Sequence, residues 1–572
     1  MKRVKNLTFT AGIALLSALL LSTGCQNKQS AAEGSLALSA AKGALPISDG
    51  TRSLSLFMGG IGSQVTSLDY ADNLFTKRIV DETGIKLNIT GVNSSDLSQR
   101  MNVMLSSGDY PDLIINDNLG INDMLYYANQ GIFIALDEYD PLSYPNIKAA
   151  FDEYPAFNQR LRGSDGKLYA LPAANDCLHC RFRMGRASYY MPFIRDNGLK
   201  APETLDELHE YLLWIRDNDA NKNGNRNDEI PAAFQRDDLK NVIATIAKAY
   251  FPFVYTNQYF GLALDNKTVT EQYRDDYFRE TLRYLAALYK ENLILPDSFT
   301  MNLEQLRVLG ESATPVLAVG FTNSQGNMTI QGQERWIDTF ILPTLSGPEG
   351  ARYGSNADPW SILRNGMFIT DKCKDPELAV ALFDYLLNFD VMLDGYIGPK
   401  GQAWTDPDPS SLSLISGEPA YKLLITFSAA PINSSWGSWN PMVRNSKFRL
   451  GEQAVGADIA REWIESGDPS FKSRLIGNAS YNEEQNYFFT VPGMAYEMPA
   501  EYFIPPVAMS DEDTSRTGDI SGPLNTFKDQ ACVEFITGVR DINSDAAWNT
   551  YLGELDRLGS RELVSIIQKY IL

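Results

Sequence analysis

Hydrophobic and polar positions alternate in short runs through the first part of the chain. Residues 53–58 and 85–89 repeat with a period of two, which is typical of half-buried strands. Residues 113–115 form a continuous apolar run, as expected of a strand that is buried on both faces. Helical stretches separate these runs, and one of them begins near Asp96. Strands that alternate with helices predict an α/β fold with a mostly parallel sheet.

Helical periodicity is clearest after Pro202. Thr204 and Glu207 have the spacing of a capping box, and apolar residues then recur on one face as far as Ile215. From Ala547 onward the pattern predicts two more amphipathic helices. Three tryptophans in helical stretches are expected in the core, namely Trp214, Trp463 and Trp548.

The N-terminus follows another pattern, in which basic residues precede an apolar run over 11–21 that is too short to span a bilayer. The small residues leading to Cys25 resemble a bacterial lipobox, although Ser22 stands where leucine is usual. That resemblance implies a signal peptide over 1–24 and lipidation of Cys25. Residues 25–51 are predicted to be a flexible stalk. An ordinary secreted protein with a chance cysteine is the alternative.

The charge balance narrows the class of partners. The chain has 572 residues, enough for more than one lobe, and 50 basic against 71 acidic residues give a net charge of −21. A surface this acidic repels nucleic acid and anionic lipid, so nucleic acid is not expected as a partner.

Cys177 and Cys180 form the one close cysteine pair. In an oxidising compartment a local disulfide is the preferred interpretation, and a free or metal-binding pair remains the alternative. The chain has only two histidines, which leaves little material for a zinc site.

The loop after the capped helix carries oxygen-bearing side chains at alternating positions. Counting from Asp219, they occupy positions 1, 3 and 5 of an EF-hand-type calcium loop, and Gly224 stands at position 6, where the chain turns sharply. Ile230 replaces the usual glutamate at position 12, and the acids come earlier. The predicted ligands of a structural calcium ion are Asp219, Asn221, Asn223, Asn225 through its carbonyl, and members of the group Asn227, Asp228 and Glu229.

Six stretches resemble, in order, landmarks of the extracellular solute-binding proteins of family 1. They are SSGDYPDLII (106–115), DGKLYALP (165–172), NGLKAPETLDEL (197–208), ILPTLSGPEG (341–350), FITDKCKDPELAVALFDYL (368–386) and GPKGQAW (398–404). The nearest branch is the large lipoprotein type that includes an alginate-oligosaccharide-binding protein. The resemblance also implies a calcium-filled loop ending in D-E-I-P, which is one residue longer here because of Asn227.

The resemblance implies a two-lobed α/β fold of the type II periplasmic-binding-protein class, with hinge crossovers and a C-terminal helical segment. Ligand is held between the lobes, with crossovers at 165–175 and 361–371. The implied division is lobe 1 over 52–172 and 373–420, and lobe 2 over 173–372 and 421–572.

Oligosaccharides are usually held by aromatic rings and polar side chains. The candidates are Trp360, Trp404, Trp436 and Trp439 in Gly/Pro/Asn-rich loops, Tyr126 and Tyr127, and Asn116, Asp117 and Asn118 after the third strand. Arg181, Arg183 and Arg186 form a basic cluster that either meets an anionic ligand or is solvated.

The predicted function is a lipid-anchored, monomeric, extracytoplasmic substrate-binding protein that delivers an oligosaccharide to the permease of an ABC importer. A surface glycan sensor without transport is one alternative, and a polysaccharide-degrading enzyme is another. No G-x-S-x-G, H-E-x-x-H or P-loop motif is present in the sequence, so an enzyme is not expected.

Overall fold

The computed structural model describes residues 42–571 except for 60–68, 94–95, 117–118, 164, 177–183, 257–258, 331, 355–359, 361, 414–415, 426–432, 455–456, 477–485 and 487–495. The strands are β1 Ser53–Gly59, β2 Lys86–Val92, β3 Leu113–Ile115, β4 Leu171–Asn175, β5 Ser188–Tyr190, β6 Ile230–Ala233, β7 Leu262–Asp265, β8 Thr268–Glu271, β9 Leu317–Gly320, β10 Thr339–Ile341, β11 Leu363–Ile369, β12 Trp404–Leu412, β13 Pro419–Leu423 and β14 Val443–Arg444.

The helices are α1 Leu74–Thr83, α2 Leu97–Ser107, α3 Ile121–Asn129, α4 Pro145–Glu153, α5 Phe157–Arg160, α6 Met191–Arg195, α7 Leu205–Asp217, α8 Leu239–Ala247, α9 Asp276–Lys290, α10 Leu303–Gly310, α11 Glu334–Ile337, α12 Pro376–Leu386, α13 Phe389–Tyr396, α14 Ser446–Ala454, α15 Ala457–Ser466, α16 Pro469–Leu475, α17 Asp511–Ile536, α18 Asp545–Arg557 and α19 Ser560–Gln568. No helix in the described part is long and apolar enough to cross a membrane.

The first lobe is built on a six-stranded sheet with the order β14-β4-β11-β3-β1-β2. β1 pairs in parallel with both β2 and β3, as the alternation of strands and helices predicts. β3 is buried at all three residues because strands and helices cover it on every side. β11 is inserted between β3 and β4 and runs antiparallel to both.

The core of the first lobe reaches further along the chain than the predicted end at residue 420. Leu423, Trp436, Val443 and Phe448 all belong to it, and β14 pairs in parallel with β4. The core also includes residues of β11, which the prediction assigned to the second lobe. The first lobe therefore consists of residues from about 47 to 174 and from 363 to 448.

The second lobe has a four-stranded sheet with the order β10-β5-β9-β6, and a separate β7–β8 hairpin. Its core joins residues between Ala187 and Leu345 with residues between Ala460 and Ile567. The capping box of α7 is present as predicted, with Thr204 and Glu207 bonding to each other's backbone. Of the tryptophans expected in the core, Trp463 and Trp548 are buried, and Trp214 packs against the core while partly exposed.

The C-terminal segment is helical and packs on the second lobe. The two predicted amphipathic helices are α18 and α19, and the longer α17 precedes them. The start of α17 also touches the first lobe, where the Met509 amide donates to Asn122 Oδ1 at 3.3 Å and Asn129 Nδ2 donates to Asp511 Oδ1 at 3.2 Å.

Three passages between the lobes follow from the elements that the structure describes. The first crossover joins β4 to β5, the second joins β10 to β11, and a third passage lies between α14 and α15. The residues predicted as crossovers are largely β4 and β11 themselves, which belong to the first sheet. The first crossover therefore begins after β4, later in the chain than predicted. The second ends before β11, earlier in the chain than predicted.

Candidate functional site

The crossovers join one edge of the first sheet to one edge of the second. In the first lobe, the carboxyl ends of β1, β3, β4 and β14 lie at the same edge as the amino end of β11. In the second lobe, the carboxyl ends of β6, β9 and β10 share an edge with the amino end of β5. Ligands of open α/β sheets bind outside the carboxyl ends of strands. The space between these two edges is therefore the candidate binding site.

Two of the predicted ligand-binding residues lie at the edge of the first sheet. Asn116 follows β3 directly, is 3% exposed, and its Nδ2 donates to Met101 Sδ at 3.4 Å. Trp360 comes just before β11 and packs, partly buried, against the first core. Asp117 and Asn118 lie outside the described residues. Trp360 is thus partly exposed and stays a candidate platform.

Tyr126 and Tyr127 lie on α3, in the helical layer of the first lobe. Tyr126 is 54% exposed, and its ring meets that of Tyr127 edge-on at 5.3 Å. Tyr127 packs against Phe133, and its hydroxyl donates to Asn102 Oδ1 at 3.0 Å. Tyr126 therefore presents most of its ring to solvent, while Tyr127 is held by the helix layer.

The structure contradicts the predicted role of two tryptophans. Trp404 is 1% exposed and donates through Nε1 to Asp394 Oδ1 at 2.8 Å. Trp436 is 0% exposed and donates to Thr76 Oγ1 at 2.9 Å. Neither ring has a free face on which a sugar could stack. Trp439 falls in a short helical turn, and its side chain lies outside the described atoms.

Polar residues that the sequence did not single out lie at the same edge of the first lobe. Asn175 Oδ1 accepts from the guanidinium of Arg449, and the hydroxyl of Tyr154 donates to Asp176 Oδ2 at 3.0 Å. The Arg444 guanidinium lies 4.3 Å from the ring centre of Tyr396. The available sequence signal was the position of Asn175 and Asp176 directly at the end of a strand.

The edge of the second sheet contains a small cavity of about 20 Å³. Gly185, Arg186 and Ala187 of the first crossover line it, together with the loop after β10, Tyr353, and the end of α8. Lys248 at the end of α8 is 2% exposed, and burial lowers its pKa to about 7. Arg186, one of the predicted basic cluster, is 4% exposed and so is buried at this edge, whereas Arg181 and Arg183 lie outside the described residues.

Asn241 on α8 fixes the first crossover at this cavity. Its side chain is 0% exposed, its Oδ1 accepts from the Gly185 amide at 2.8 Å, and its Nδ2 donates to the Arg186 carbonyl at 2.8 Å. The second crossover meets the C-terminal end of α8, where the Tyr353 amide donates to the Lys248 carbonyl at 3.1 Å. α8 therefore contacts both the first and the second crossover.

The predicted calcium loop joins α7 to β6. Gly224 has φ 90°, so the sharp turn uses glycine as predicted. Asp219 accepts from the amides of Asn223 at 3.0 Å and Gly224 at 2.8 Å, and Asn221 Oδ1 also accepts from Asn223 at 3.0 Å. These contacts turn the side-chain oxygens of positions 1 and 3 toward the inside of the loop.

The acids at the end of the loop turn toward the same interior. Asn223 Nδ2 donates to Asp228 Oδ2 at 2.6 Å, and the Asn221 amide donates to Glu229 Oε1 at 3.3 Å. Glu229 Oε2 is buried without a hydrogen-bond partner. Burial raises the pKa of Glu229, and the neighbouring charge of Asp228 acts in the same direction. A buried carboxylate oxygen without a donor fits a cation as its missing partner.

The contacts within the loop distinguish the three residues at its end. Asp228 and Glu229 contact Asn221 and Asn223, whereas Asn227 is exposed and only its amide bonds, to Asn225 Oδ1 at 3.3 Å. Within the described ranges no three His, Cys, Asp or Glu side chains form a metal cluster by themselves. A cation here would depend on the asparagine oxygens as well as on the acids.

The cysteines divide into two groups. Cys25, Cys177 and Cys180 lie outside the described residues, so lipidation and the disulfide remain predictions. Cys373 and Cys532 are both buried as free thiols, and burial raises the pKa of each to about 12. Thiols in this state are inert core residues.

The family model for the bacterial extracellular solute-binding protein matches residues 65–391, more than half of the chain. Among curated proteins, the fructooligosaccharide ABC transporter substrate-binding protein FusA of Streptococcus pneumoniae is 24% identical over 530 residues, covering 89% of this chain and 88% of its own length.

Solved structures match over nearly the whole described fold. An S. pneumoniae FusA EF-hand mutant in complex with fructo-nystose has a TM-score of 0.69 at 22% identity, covering 91% of this chain and 99% of the other. A human-milk-oligosaccharide ("HMO") binding, ABC-transporter-associated solute-binding protein of Bifidobacterium longum infantis has a TM-score of 0.70 at 19% identity, with the same coverage. At these identities the likeness shows the fold, which is the two-lobed α/β fold predicted.

Proposed function

The chain belongs to the bacterial extracellular solute-binding proteins, and we propose that it captures an oligosaccharide between its lobes and delivers it to the permease of an ABC importer. The observation that carries this proposal is that the crossovers connect two sheet edges, one in each lobe, where strand carboxyl ends meet. A ligand between those edges contacts both lobes, so its binding energy favours a closed arrangement over an open one.

The relatives support an oligosaccharide as cargo. FusA is named for fructooligosaccharides, and the B. longum infantis protein for HMO. Both are binding proteins, and so is the family as a whole. Partly exposed Trp360 and the polar residues beside β4 would supply the aromatic and hydrogen-bonding groups that a sugar requires.

The loop between α7 and β6 is proposed to hold a structural calcium ion. Asp219, Asn221, Asn223, Asp228 and Glu229 would hold it, with the carbonyl of Asn225. The two positive charges of the cation would offset most of the charge of three neighbouring acids, and the ion would fasten the end of α7 to the start of β6. An EF-hand is also named for FusA. Asn221 also bonds to Pro315 and Lys222 to Asp196, so these contacts tie the loop to the second lobe.

The N-terminal segment is proposed to anchor the protein outside the cytoplasm. Cys25 would carry the lipid, and residues 26–41 would form the stalk. The stalk predicted over 25–51 is too long, because Ile47 is buried in the first core and the amides of Ile47 and Ser48 donate to the Thr83 carbonyl. An anchored protein stays near the permease, which raises the effective concentration of captured cargo at the membrane.

Thermal unfolding of the chain without residues 1–25 tests the proposed function. The protein is mixed with a library of neutral and acidic oligosaccharides, each with and without millimolar calcium. A ligand that binds only the native state raises the melting temperature by mass action, and we expect one glycan class to do so. Chromatography of the recovered glycan should show it intact. If it were shortened, the protein would be an enzyme, and if no glycan acted, the proposed cargo would be wrong.

A further inference from the structure

The cavity at the edge of the second sheet has an unusual charge for this protein. The whole chain carries −21, yet none of the residues that line the cavity is acidic and two of them are cationic. A volume of about 20 Å³ exceeds what a single water molecule needs. The lining residues are Gly185, Arg186, Ala187, Thr245, Lys248, Ile341, Leu342, Pro343, Thr344, Leu345 and Tyr353.

Lys248 is incompletely paired in this cavity. Its ammonium group has three protons, and the hydrogen bond found for it goes to the carbonyl of Met184 at 2.5 Å. Among the residues that the structure describes, no carboxylate lies within ion-pair distance of its Nζ. A buried ammonium without a counter-ion is costly, and such groups normally pair or lose their proton.

The geometry points to an anion site: we propose that this cavity binds a carboxylate-sized anion, with the ammonium of Lys248 as its principal partner. Arg186 is the second cation of the wall, and the hydroxyl of Thr245 lines it as well. Asn241 holds the backbone of Gly185 and Arg186 in place, so the crossover side of the site is fixed before any anion enters.

The position of the cavity connects it to the cargo. It lies at the edge of the second sheet where strand carboxyl ends meet both crossovers, and that edge faces the proposed ligand space. Resting on the proposed function, the inference is that the oligosaccharide carries carboxylates, as uronic acid residues do. A free small anion such as acetate is chemically equivalent at the cavity, and the experiment separates these two sources.

Binding of the anion is coupled to a proton. Lys248 in the empty cavity has a pKa of about 7, so at higher pH the lysine must take up a proton before it can pair with the anion. The other titratable groups of the wall are Arg186 from the first crossover and Tyr353 from the second, and neither residue type ordinarily changes charge between pH 6 and 8. Anion affinity should therefore fall about tenfold from pH 6 to pH 8.

The test uses trigalacturonate, its fully methyl-esterified form and acetate as probes. Affinities are measured by titration calorimetry, and melting temperatures are measured in parallel at constant ionic strength. The variants are Lys248→Met, which keeps an apolar stem of similar length, and Lys248→Arg, which keeps the charge. Lys290→Met on the exposed end of α9 is the matched control. The melting temperature without probes shows whether each variant is folded.

We expect the wild type and Lys290→Met to bind trigalacturonate at least tenfold more tightly than its ester at pH 6. In Lys248→Met that preference should disappear, and Lys248→Arg should retain part of it. If acetate alone stabilises the wild type but not Lys248→Met, while acid and ester bind equally, the site takes a free anion and the cargo is neutral.

The inference is overturned if neither acetate nor the sugar carboxylate distinguishes the wild type from Lys248→Met. Tight binding of the ester or of another neutral glycan would then leave the proposed function intact. If no glycan binds, the proposed function is wrong. The comparison of acetate binding between the wild type and Lys248→Met would still show whether the cavity binds an anion.

Discussion

At the scale of single residues, Glu229 shows how one carboxylate can oppose or support folding according to its partner. Its Oε2 is buried without a donor, and its pKa is raised by burial and by Asp228. A raised pKa means that the folded protein binds the proton more tightly than the unfolded chain does. Without a cation, the folded state therefore loses stability as pH rises from the ordinary glutamate pKa through the raised one.

Glu229→Gln should have opposite effects with and without calcium. In EDTA at pH 7 the variant removes an unfavourable buried charge, so its melting temperature should equal or exceed that of the wild type. With millimolar calcium it lacks a ligand, and we expect calcium affinity to fall on the order of tenfold. Differential scanning calorimetry measures both. Glu210→Gln on the exposed face of α7 is the control, and an equal calcium response in all three proteins would refute the site.

Trp436 and Trp360 make a second comparison at this scale, because one ring is fully buried and the other is partly exposed. Trp436→Phe removes the bond to Thr76 and should lower the free energy of unfolding by about 1–3 kcal/mol. Affinity for glycan should change little once the variant is folded. Trp360→Ala should do the reverse, with a loss of affinity and a smaller loss of stability. Urea unfolding and calorimetric titration separate the two effects.

At the scale of elements, α8 has a polar stripe within an otherwise apolar helix. Asn241, Thr245 and Lys248 lie three or four residues apart, and Asn241 and Lys248 bond to the first crossover. Thr245 Oγ1 donates back to the Asn241 carbonyl at 2.7 Å. The helix therefore serves as the anchor of the crossover in the second lobe, beyond its part in the core.

Asn241→Ala should release that anchor. It leaves the Gly185 amide and the Arg186 carbonyl without their partner, and each unmade buried bond costs about 1–3 kcal/mol. We expect a lower urea midpoint and faster hydrogen exchange in residues 184–187. Asn158→Ala, on an exposed turn of α5, should leave both unchanged. Unaltered exchange at 184–187 would show that the crossover is held by other contacts.

Elements with a local code were predictable from the sequence. β1, β3 and the capped helix α7 have the residues expected, because alternation, apolar runs and capping act within a few residues. The calcium-type loop turns at its glycine as predicted, and Gly224 has a positive φ there. The polar residues of α8 lie three or four positions apart in the sequence, as on one face of a helix. The apolar residues around them indicate that this face is buried.

Loop composition was a poor guide to exposure. Trp404 begins the β12–β13 hairpin and meets Tyr421 edge-on at 6.2 Å, so its Gly/Pro-rich neighbours mark turns over a core and not an open cleft. Trp436 is likewise enclosed by Phe75 at 5.1 Å. Contacts of this kind join distant parts of the chain, and no local pattern encodes them.

At the scale of the whole molecule, the two lobes should approach each other when ligand binds, while calcium acts within one lobe. We expect a glycan to lower the radius of gyration in small-angle X-ray scattering, because it bridges the two sheet edges that the crossovers connect. EDTA should leave the radius unchanged, since the contacts of the loop with Pro315 and Asp196 lie within the second lobe. Trp360→Ala at the same glycan concentration is the control. A radius that responds to calcium alone would place the ion in the hinge.

The boundary between the lobes was the part of the fold that the sequence predicted least well. It depends on β14, whose residues Val443 and Arg444 pair with Ala174 and Asn175. Most of the second lobe lies between these two strands in the chain. Pairing over such a separation is decided by the assembled sheet. The lobes themselves were predictable because the family resemblance covers nearly the whole chain.

The position of β11 also governs when the protein can fold. β11 lies between β3 and β4 and pairs with both, yet the ribosome makes it only after β5 to β10. Until it emerges, β3 and β4 lack the strand that joins them, and the first lobe has no complete sheet. Contacts between such distant segments form slowly. The sheet of the first lobe thus stays incomplete until β11 has been made, which suits an extracellular protein that must cross a membrane before it folds.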